Sequence, residues 1–414
     1  MGFSQNLLVF QDGTTYRVIT EYSHDEVFSS DRADQTIQHA VDAMAAGDPG
    51  GGVVTVGRGD FPLDGSVYLR DRVWLRGSKR GTRLLVDGAG EDGAGVVAKD
   101  VKGCVISDLS LLPQEGSGGG SGVILDNAGD CKVRDVVAAR FENYGIWVRN
   151  NTFLSEVRGC TMAGNLKANL YLDQLARGTY GDFVPNLVSN CVIYGGGKGI
   201  ECNRTIVLNI VGCVVYQSGD VAYHVRNTSN SVVISGCRSF QITGHAVMVE
   251  DSHEFNLSSN IFCWHTGHGV LVRDCNWGTI TGNEIIDSGS YNAGTRDTET
   301  QVTDLPEDVP MYNGIDLIHS QGFTVSSNAV FNWPVAPHMG IGIREDARCS
   351  HNAIVGNNVN YYVEEGIVSQ GAESAVENNV CEKDKPYQSP QAVNTTVQSF
   401  QRALTETFID ELTT

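Results

Sequence analysis

Apolar residues recur along this chain in short alternating runs, and the runs themselves repeat. One phrase is an apolar residue, two small or polar residues, then Cys or Asn. It occurs at Val157-Arg158-Gly159-Cys160, Val188-Ser189-Asn190-Cys191, Ile210-Val211-Gly212-Cys213 and Ile234-Ser235-Gly236-Cys237. It continues at Leu257-Ser258-Ser259-Asn260, Ile280-Thr281-Gly282-Asn283, Val325-Ser326-Ser327-Asn328, Ile354-Val355-Gly356-Asn357 and Ala375-Val376-Glu377-Asn378. From Cys191 to Asn283 the steps are 22, 24, 23 and 23 residues. A fixed period of this length marks a solenoid.

A second phrase lies between copies of the first. It is Gly or Ala followed by alternation, as in Gly145-Ile146-Trp147-Val148, Gly199-Ile200-Glu201-Cys202, Ala222-Tyr223-His224-Val225 and Ala246-Val247-Met248-Val249. Gly269-Val270-Leu271-Val272, Gly314-Ile315-Asp316-Leu317 and Gly340-Ile341-Gly342-Ile343 continue it. Strict alternation over four to six residues is the pattern of a half-buried strand. Two or three such strands per repeat, joined by turns too short for helices, make one coil of a β-helix. The Cys-to-Asn position then predicts an inward turn stacked on its copy about 4.8 Å away. Asn amides bond along such a stack, and Cys fills the same place as a small apolar group.

The ends read differently. Residues 34–44 carry Ile37, Ala40, Val41 and Met44 on one helical face, and run into the strand Gly52-Val53-Val54-Thr55-Val56. That is a cap for the open edge of a solenoid. Val397, Phe400, Leu404, Phe408 and Leu412 have the spacing of a C-terminal amphipathic helix. The expected architecture is all-β: a single-stranded right-handed parallel β-helix over residues 34–382, with an insertion at 287–312. A segment at 1–33 precedes it, and a tail or capping helix at 383–414 follows.

Composition narrows the function. The 414 residues carry a formal net charge of −20 and 48 glycines. Such a surface repels nucleic acid, anionic lipid and acidic polymers at long range, so neither nucleic acid nor a membrane is an expected partner and the charge weighs against a polyanionic substrate. No apolar run is long enough for a membrane span. No secretory signal stands at the start, so the expectation is a cytoplasmic protein or one whose signal has been removed. Eleven cysteines without a CxxC pair read as core residues, not as a disulfide or zinc framework.

A β-helix works through columns of equivalent outward residues on successive rungs. Trp147, Tyr171, Glu201, His224, Met248, Leu271 and Asp316 are expected in one column. Arg149, Asp173, Asn203, Arg226, Glu250, Arg273 and Arg344 are expected in the next. Lys198, Asp220, His245 and His268 are expected at matching turns, where an Asp beside a His suits acid–base chemistry. The apolar members of the first column suggest a subunit interface or a sugar-stacking surface. Glycosidic cleavage needs two carboxyl groups, one protonating the leaving oxygen and one attacking or activating the acceptor. Asp220 with Glu201, or Glu201 with Glu250, are the candidate pairs. His224, Arg226, His245, His268, Arg273 and Asp316 are candidate substrate contacts, with Trp147 or Trp264 stacking on a ring. His245, His268 and Asp220 lack a characteristic metal spacing, so neither a metal nor another cofactor is expected.

On the helix, the "GGGVVTV" and "VYLRDRVWLRG" stretches and the repeated turns, residues 34–380 resemble the pectin-lyase-like superfamily of right-handed β-helices. That group includes pectate lyases, polygalacturonases, epimerases and transferases. Residues 197–332, with the long insertion and the loop Asn332-Trp333-Pro334-Val335-Ala336-Pro337, are similar to the inulin fructotransferases, which form difructose anhydride. That resemblance implies a homotrimer with sites between subunits and a catalytic aspartate at Asp220. The accompanying glutamate, ten residues on, falls on Asn230. Three activities follow as expectations. The first is cleavage or transfer of a glycan, a fructan among them, by paired carboxylates. The second is a lyase or epimerase acting on a uronate polymer. The third is a non-catalytic glycan-binding solenoid. In each the partner is an oligo- or polysaccharide.

Overall fold

The computed structural model describes residues 6–47, 50–88, 93–175, 185–289, 311–332 and 339–383. Met1–Lys383 forms one compact unit. The expected tail at 384–414, most of the 287–312 insertion and the Pro-containing loop lie outside the described residues.

Three long sheets run along the axis, with 16, 13 and 12 strands. Each rung contributes one strand to the first, second and third sheet in turn, so every third strand in the chain pairs in parallel. The strands of the third sheet are those of the second sequence phrase, among them Tyr144–Arg149, Lys198–Asn203, Tyr223–Arg226, Val247–Glu250, Val270–Arg273 and Ile315–Ile318. Inward residues are Val, Ile and Leu, and one continuous apolar core fills the coil.

The Cys-to-Asn phrase is the turn from the first sheet to the second. The residue before each inward position has a left-handed backbone: φ is 62° at Gly159, 53° at Asn190, 64° at Gly212 and 57° at Ser259. Glycine and small polar residues tolerate that region, which explains the repeated small-residue choice. The inward residues then stack as expected. Cys160, Cys191, Cys213 and Cys237 are fully buried. Above them the amide Nδ2 of each Asn donates to the next Oδ1, at 2.9 Å from Asn260 to Asn283 and 3.0 Å from Asn283 to Asn328. The ladder continues at 2.9 Å to Asn357 and 2.9 Å to Asn379. At this last copy the inward residue is Asn379 and not the expected Asn378, which takes the left-handed position before it with φ 55°. The step from Asn283 to Asn328 spans 45 residues, yet the ladder is unbroken. The register of the described rungs is therefore kept across this longer step.

The N-terminal cap is richer than its sequence suggested. A helix at Ala33–Ala46 buries Ile37, Ala40, Val41 and Met44 against the first rung. Gly52, beside Met44, has φ 145°, a backbone conformation that residues with a Cβ rarely adopt. The segment before it is a three-strand antiparallel extension of the first sheet: Leu7–Asp12, Thr15–Thr20 and Glu26–Ser30. Leu7–Asp12 pairs in parallel with Gly52–Val56, so the open edge is covered by strands as well as by the helix. Among the described residues no helix is long and apolar enough to cross a membrane.

Candidate functional site

Strand register joins Trp147, Tyr171, Glu201, His224, Met248, Leu271 and Asp316 into one outward column on the third sheet, as expected. Arg344 continues this column above Asp316 instead of joining the neighbouring one. The long Arg side chain reaches down to a carboxylate one rung below. The neighbouring column reads Lys99, Asp126, Arg149, Asp173, Asn203 and Arg226, with Glu250 paired to Arg273 above. Charges of opposite sign alternate along most of it. Arg149 meets Asp126 at 2.8 Å, and Asn203 donates to Asp173 at 2.7 Å.

The lower end of the first column is an aromatic shelf. Tyr144 stacks on Tyr171 with centroids 4.8 Å apart and lies 5.1 Å from Trp147. The Arg149 guanidinium covers the Trp147 ring at 4.2 Å. Further down, Val97 and Ile124 are fully buried in a small apolar cluster of their own, with Tyr68 and Trp147 packed against it.

Next comes the polar centre. Glu201 is 6% exposed. Its Oε1 accepts from Lys198 Nζ at 2.8 Å and from Arg226 Nε at 2.8 Å, and lies 3.7 Å from His224 Nδ1. On the other side of the ring His224 Nε2 sits 2.9 Å from Glu250 Oε2, while Arg273 bonds to Glu250 Oε1. One imidazole thus lies between two carboxylates and is bonded to one of them, Glu250. Burial pushes the His224 pKa down, against the opposing pull of the Glu250 hydrogen bond. Burial would push the Glu250 carboxyl up, but hydrogen bonds from His224 and Arg273 outweigh it and hold it below the usual carboxylate range. A neutral His224 donates Nε2–H to Glu250, which leaves Nδ1 with a lone pair. That nitrogen is buried and has no partner.

A second cluster lies above. Asp316 is fully buried. It accepts Arg344 through both oxygens at 2.7 and 2.9 Å, and Asn313 Nδ2 at 3.0 Å. Burial pushes its pKa up, with the Arg344 contacts opposing. His268 Nε2 lies 3.7 Å from Asp316 Oδ2. His245 and His268 stack with centroids 5.2 Å apart, and Tyr312 stands edge-on to both.

Two sequence expectations shift here. Ala222 N–H bonds to the His245 carbonyl, and a Cβ at Gly244 would strike the Asp220 carbonyl. Val221 is therefore level with His245, and Asp220 falls one residue outside the column, on an exposed turn. Its negative charge still reaches His245. Trp264 does not overhang the third sheet. It belongs to Ile261–His265 of the second sheet, where Nε1 bonds to Asp287 at 3.0 Å and the ring lies 6.3 Å from Phe240. A left-handed residue, φ 57°, re-aims it there. Sequence reasoning missed Tyr312, Asn313 and Tyr144. The first two border the insertion, and the signal for Tyr144 was its place one strand position before Gly145. Among the described residues no group of three or more His, Cys, Asp or Glu side chains is arranged to hold a metal ion.

Residues 155–330 and 224–395 match the family model described as right handed beta helix region, which together is more than half of the chain. No curated protein sequence matches. Among solved structures the chain is similar to the A-module of the Azotobacter vinelandii mannuronan C-5 epimerase AlgE6. Identity is 18% with a TM-score of 0.66, over 86% of this chain and 96% of that one. The Dettilon tailspike protein matches at 13% identity and a TM-score of 0.62, over 81% of this chain and 64% of that one. A mutant tailspike protein of E. coli bacteriophage HK620, in complex with a pentasaccharide, matches at 13% and 0.50, over 84% and 61%. At these identities the likeness is one of fold.

Proposed function

The chain belongs to the right-handed β-helix family, and we propose that on this scaffold it is a glycan-processing enzyme. Its working surface is the outer face of the third sheet. The observation that carries the reading is the placement of Glu201 and Glu250 on opposite sides of the His224 ring, with Glu250 bonded to that ring and Arg226 and Arg273 fixing the two carboxylates. Similar folds include a mannuronan epimerase and a tailspike bound to a pentasaccharide. Proteins of this shape therefore include ones whose names state that they act on or bind a glycan.

Glu201 and Glu250 stand on strands two rungs apart, with Tyr223–Arg226 between them. The His224 ring between them, 3.7 Å from Glu201 Oε1 and 2.9 Å from Glu250 Oε2, sets the two carboxyls at the wider of the spacings used in glycosidic cleavage, on the order of 6.5–9.5 Å. At that spacing a water or a sugar hydroxyl fits between substrate and base. Glu250, the more exposed and held ionised, is the base. Glu201, under Lys198 and Arg226, is the second carboxyl, and Tyr144, Trp147 and Tyr171 form the shelf on which a neighbouring sugar lies. Asp220 takes a place at the rim. A fructan is one substrate of this kind, and the homotrimer implied by the fructotransferase resemblance is the assembly to look for.

The test is incubation with a panel of neutral and acidic polysaccharides, inulin and polygalacturonate among them, with products analysed by mass. Products with the mass of hydrolysis or of internal transfer support the reading. Saturable binding of a glycan with no product from any of them would reduce the protein to a binding solenoid.

A further inference from the structure

The upper cluster has a property that its lower neighbour lacks. His245 Nδ1 accepts the backbone N–H of His268 at 2.9 Å, and His268 Nδ1 accepts the backbone N–H of Asn313 at 2.9 Å. A neutral imidazole has one lone-pair nitrogen and one N–H. In both rings the lone pair is already committed to a backbone donor that cannot turn away. The remaining nitrogen of each, Nε2, must therefore carry the hydrogen. Neither ring can act as a base toward a substrate, and each can only donate. The gap of 3.7 Å from His268 Nε2 to Asp316 is too long to consume that donor.

The groups around the pair extend this character. Arg273 and Arg344 are each bound to one carboxylate, Glu250 and Asp316, and each side chain is more than a third exposed, with N–H groups to spare. Asp316 serves both sides: it anchors Arg344 and the Asn313 amide, whose backbone N–H orients His268. Tyr312 closes one wall with its ring edge. A sugar hydroxyl both donates and accepts, and a lining of donors wastes half of its capacity. A carboxylate only accepts, with about four lone-pair sites.

We infer that His245 and His268 form a donor-only fork that, with Arg273 and Arg344, binds the carboxylate of an acidic sugar residue in the glycan. This rests on the glycan-processing reading and specifies one subsite of it. Neutral imidazoles are suited to the task because they polarise an anionic oxygen without giving up a proton, as a neutral histidine does for a carbonyl in triosephosphate isomerase.

Burial keeps both rings uncharged. It pushes His245 down and takes His268 to about 3. Asp220 and Glu250 act on His245 in the opposite sense, and Arg273 and His224 in the same sense. His245 and Arg344 repel the charged form of His268, and the Asn313 contact opposes them.

Long-range proton–nitrogen spectra of histidine-labelled protein test the fork. Both rings are expected to show the Nε2–H tautomer at about pH 8, and His268 should keep it down to about pH 5. Trigalacturonate should shift those two protons, and maltotriose at the same concentration should not. His268→Gln should weaken trigalacturonate binding about tenfold or more, and Arg344→Gln should do so with both rings still in the Nε2–H form. An Nδ1–H signal from either ring, titration of either near its ordinary value, or failure to favour trigalacturonate would overturn the inference. The enzymatic reading is judged separately. Turnover of a neutral polymer without preference for trigalacturonate keeps that reading and removes the acidic subsite.

Discussion

His224 Nε2 lies 2.9 Å from Glu250 Oε2, while the opposite nitrogen of the same ring faces Glu201 Oε1 at 3.7 Å. The two glutamates are 49 positions apart in the chain and become neighbours across one imidazole because successive rungs stack in register. Glu201→Gln and Glu250→Gln should each lower turnover on the responding glycan by about 10²–10⁴-fold, the usual weight of a positioned acid or base. The far-ultraviolet circular dichroism spectrum should stay that of the parent. If both variants turn over at the parental rate, the chemistry lies elsewhere.

The two tryptophans should separate cleanly. Trp147 belongs to the aromatic shelf beside Glu201, and Trp264 bonds to Asp287 on another sheet. Trp147→Ala should raise KM several-fold, since stacking contributes roughly 0.5–1.5 kcal/mol beyond area burial. Trp264→Ala should leave KM and kcat as they are. Steady-state kinetics on one substrate decides between the two faces.

Stability should fall on mild acidification. His265 is wholly buried without a partner for either nitrogen, and burial takes its pKa to about 3; burial also takes that of His268, whose Nδ1 is bonded, to about 3. The unfolded chain binds protons at both positions below about pH 6.5, and the folded chain does not. Between that value and about 3 each histidine should cost up to about 1.4 kcal/mol per pH unit. Urea midpoints at two pH values measure the slope. His265→Leu should flatten it and raise stability at low pH, because an unpartnered buried polar group is lost.

The cysteines should divide ten to one. Cys381 is exposed and the other ten are buried. Burial drives the Cys202 and Cys263 thiols well up, and in the stack a hydrogen bond with the neighbouring thiol, Cys160 for Cys191 and Cys191 for Cys213, raises both, with burial adding to it. A thiol reagent should label one cysteine rapidly in the native protein and all eleven after denaturation. Rapid native labelling of several would mean that the stack is open.

The amide ladder is a stability element. Asn283→Ala removes a donor to Leu257 O and to Asn328 Oδ1, and an acceptor for Asn260. The expected loss is about 1–3 kcal/mol for the buried groups left unpaired, read from chemical denaturation.

Much of this was legible before any coordinates. A period of some two dozen residues, the alternation within it and the Cys-to-Asn phrase imposed the solenoid, because a strand that alternates can bury only one face. The first outward column could be written down residue by residue, from Trp147 to Asp316, for the same reason. The single-position errors came at turns. Asp220 was placed beside His245 although Val221 holds that level, and Arg344 was assigned to the wrong column. Loops between strands differ in length by one or two residues, and counting through them does not preserve register.

The sequence alone settled which side chains point outward and in what vertical order, since those follow from backbone periodicity. Only the tertiary structure decided which atoms meet. That Glu201 is held by Lys198 and Arg226, and that both histidines spend Nδ1 on backbone N–H groups, depend on side-chain rotamers and corner geometry, which short-range pattern does not encode. The same holds for Trp264, turned onto the second sheet by one left-handed residue.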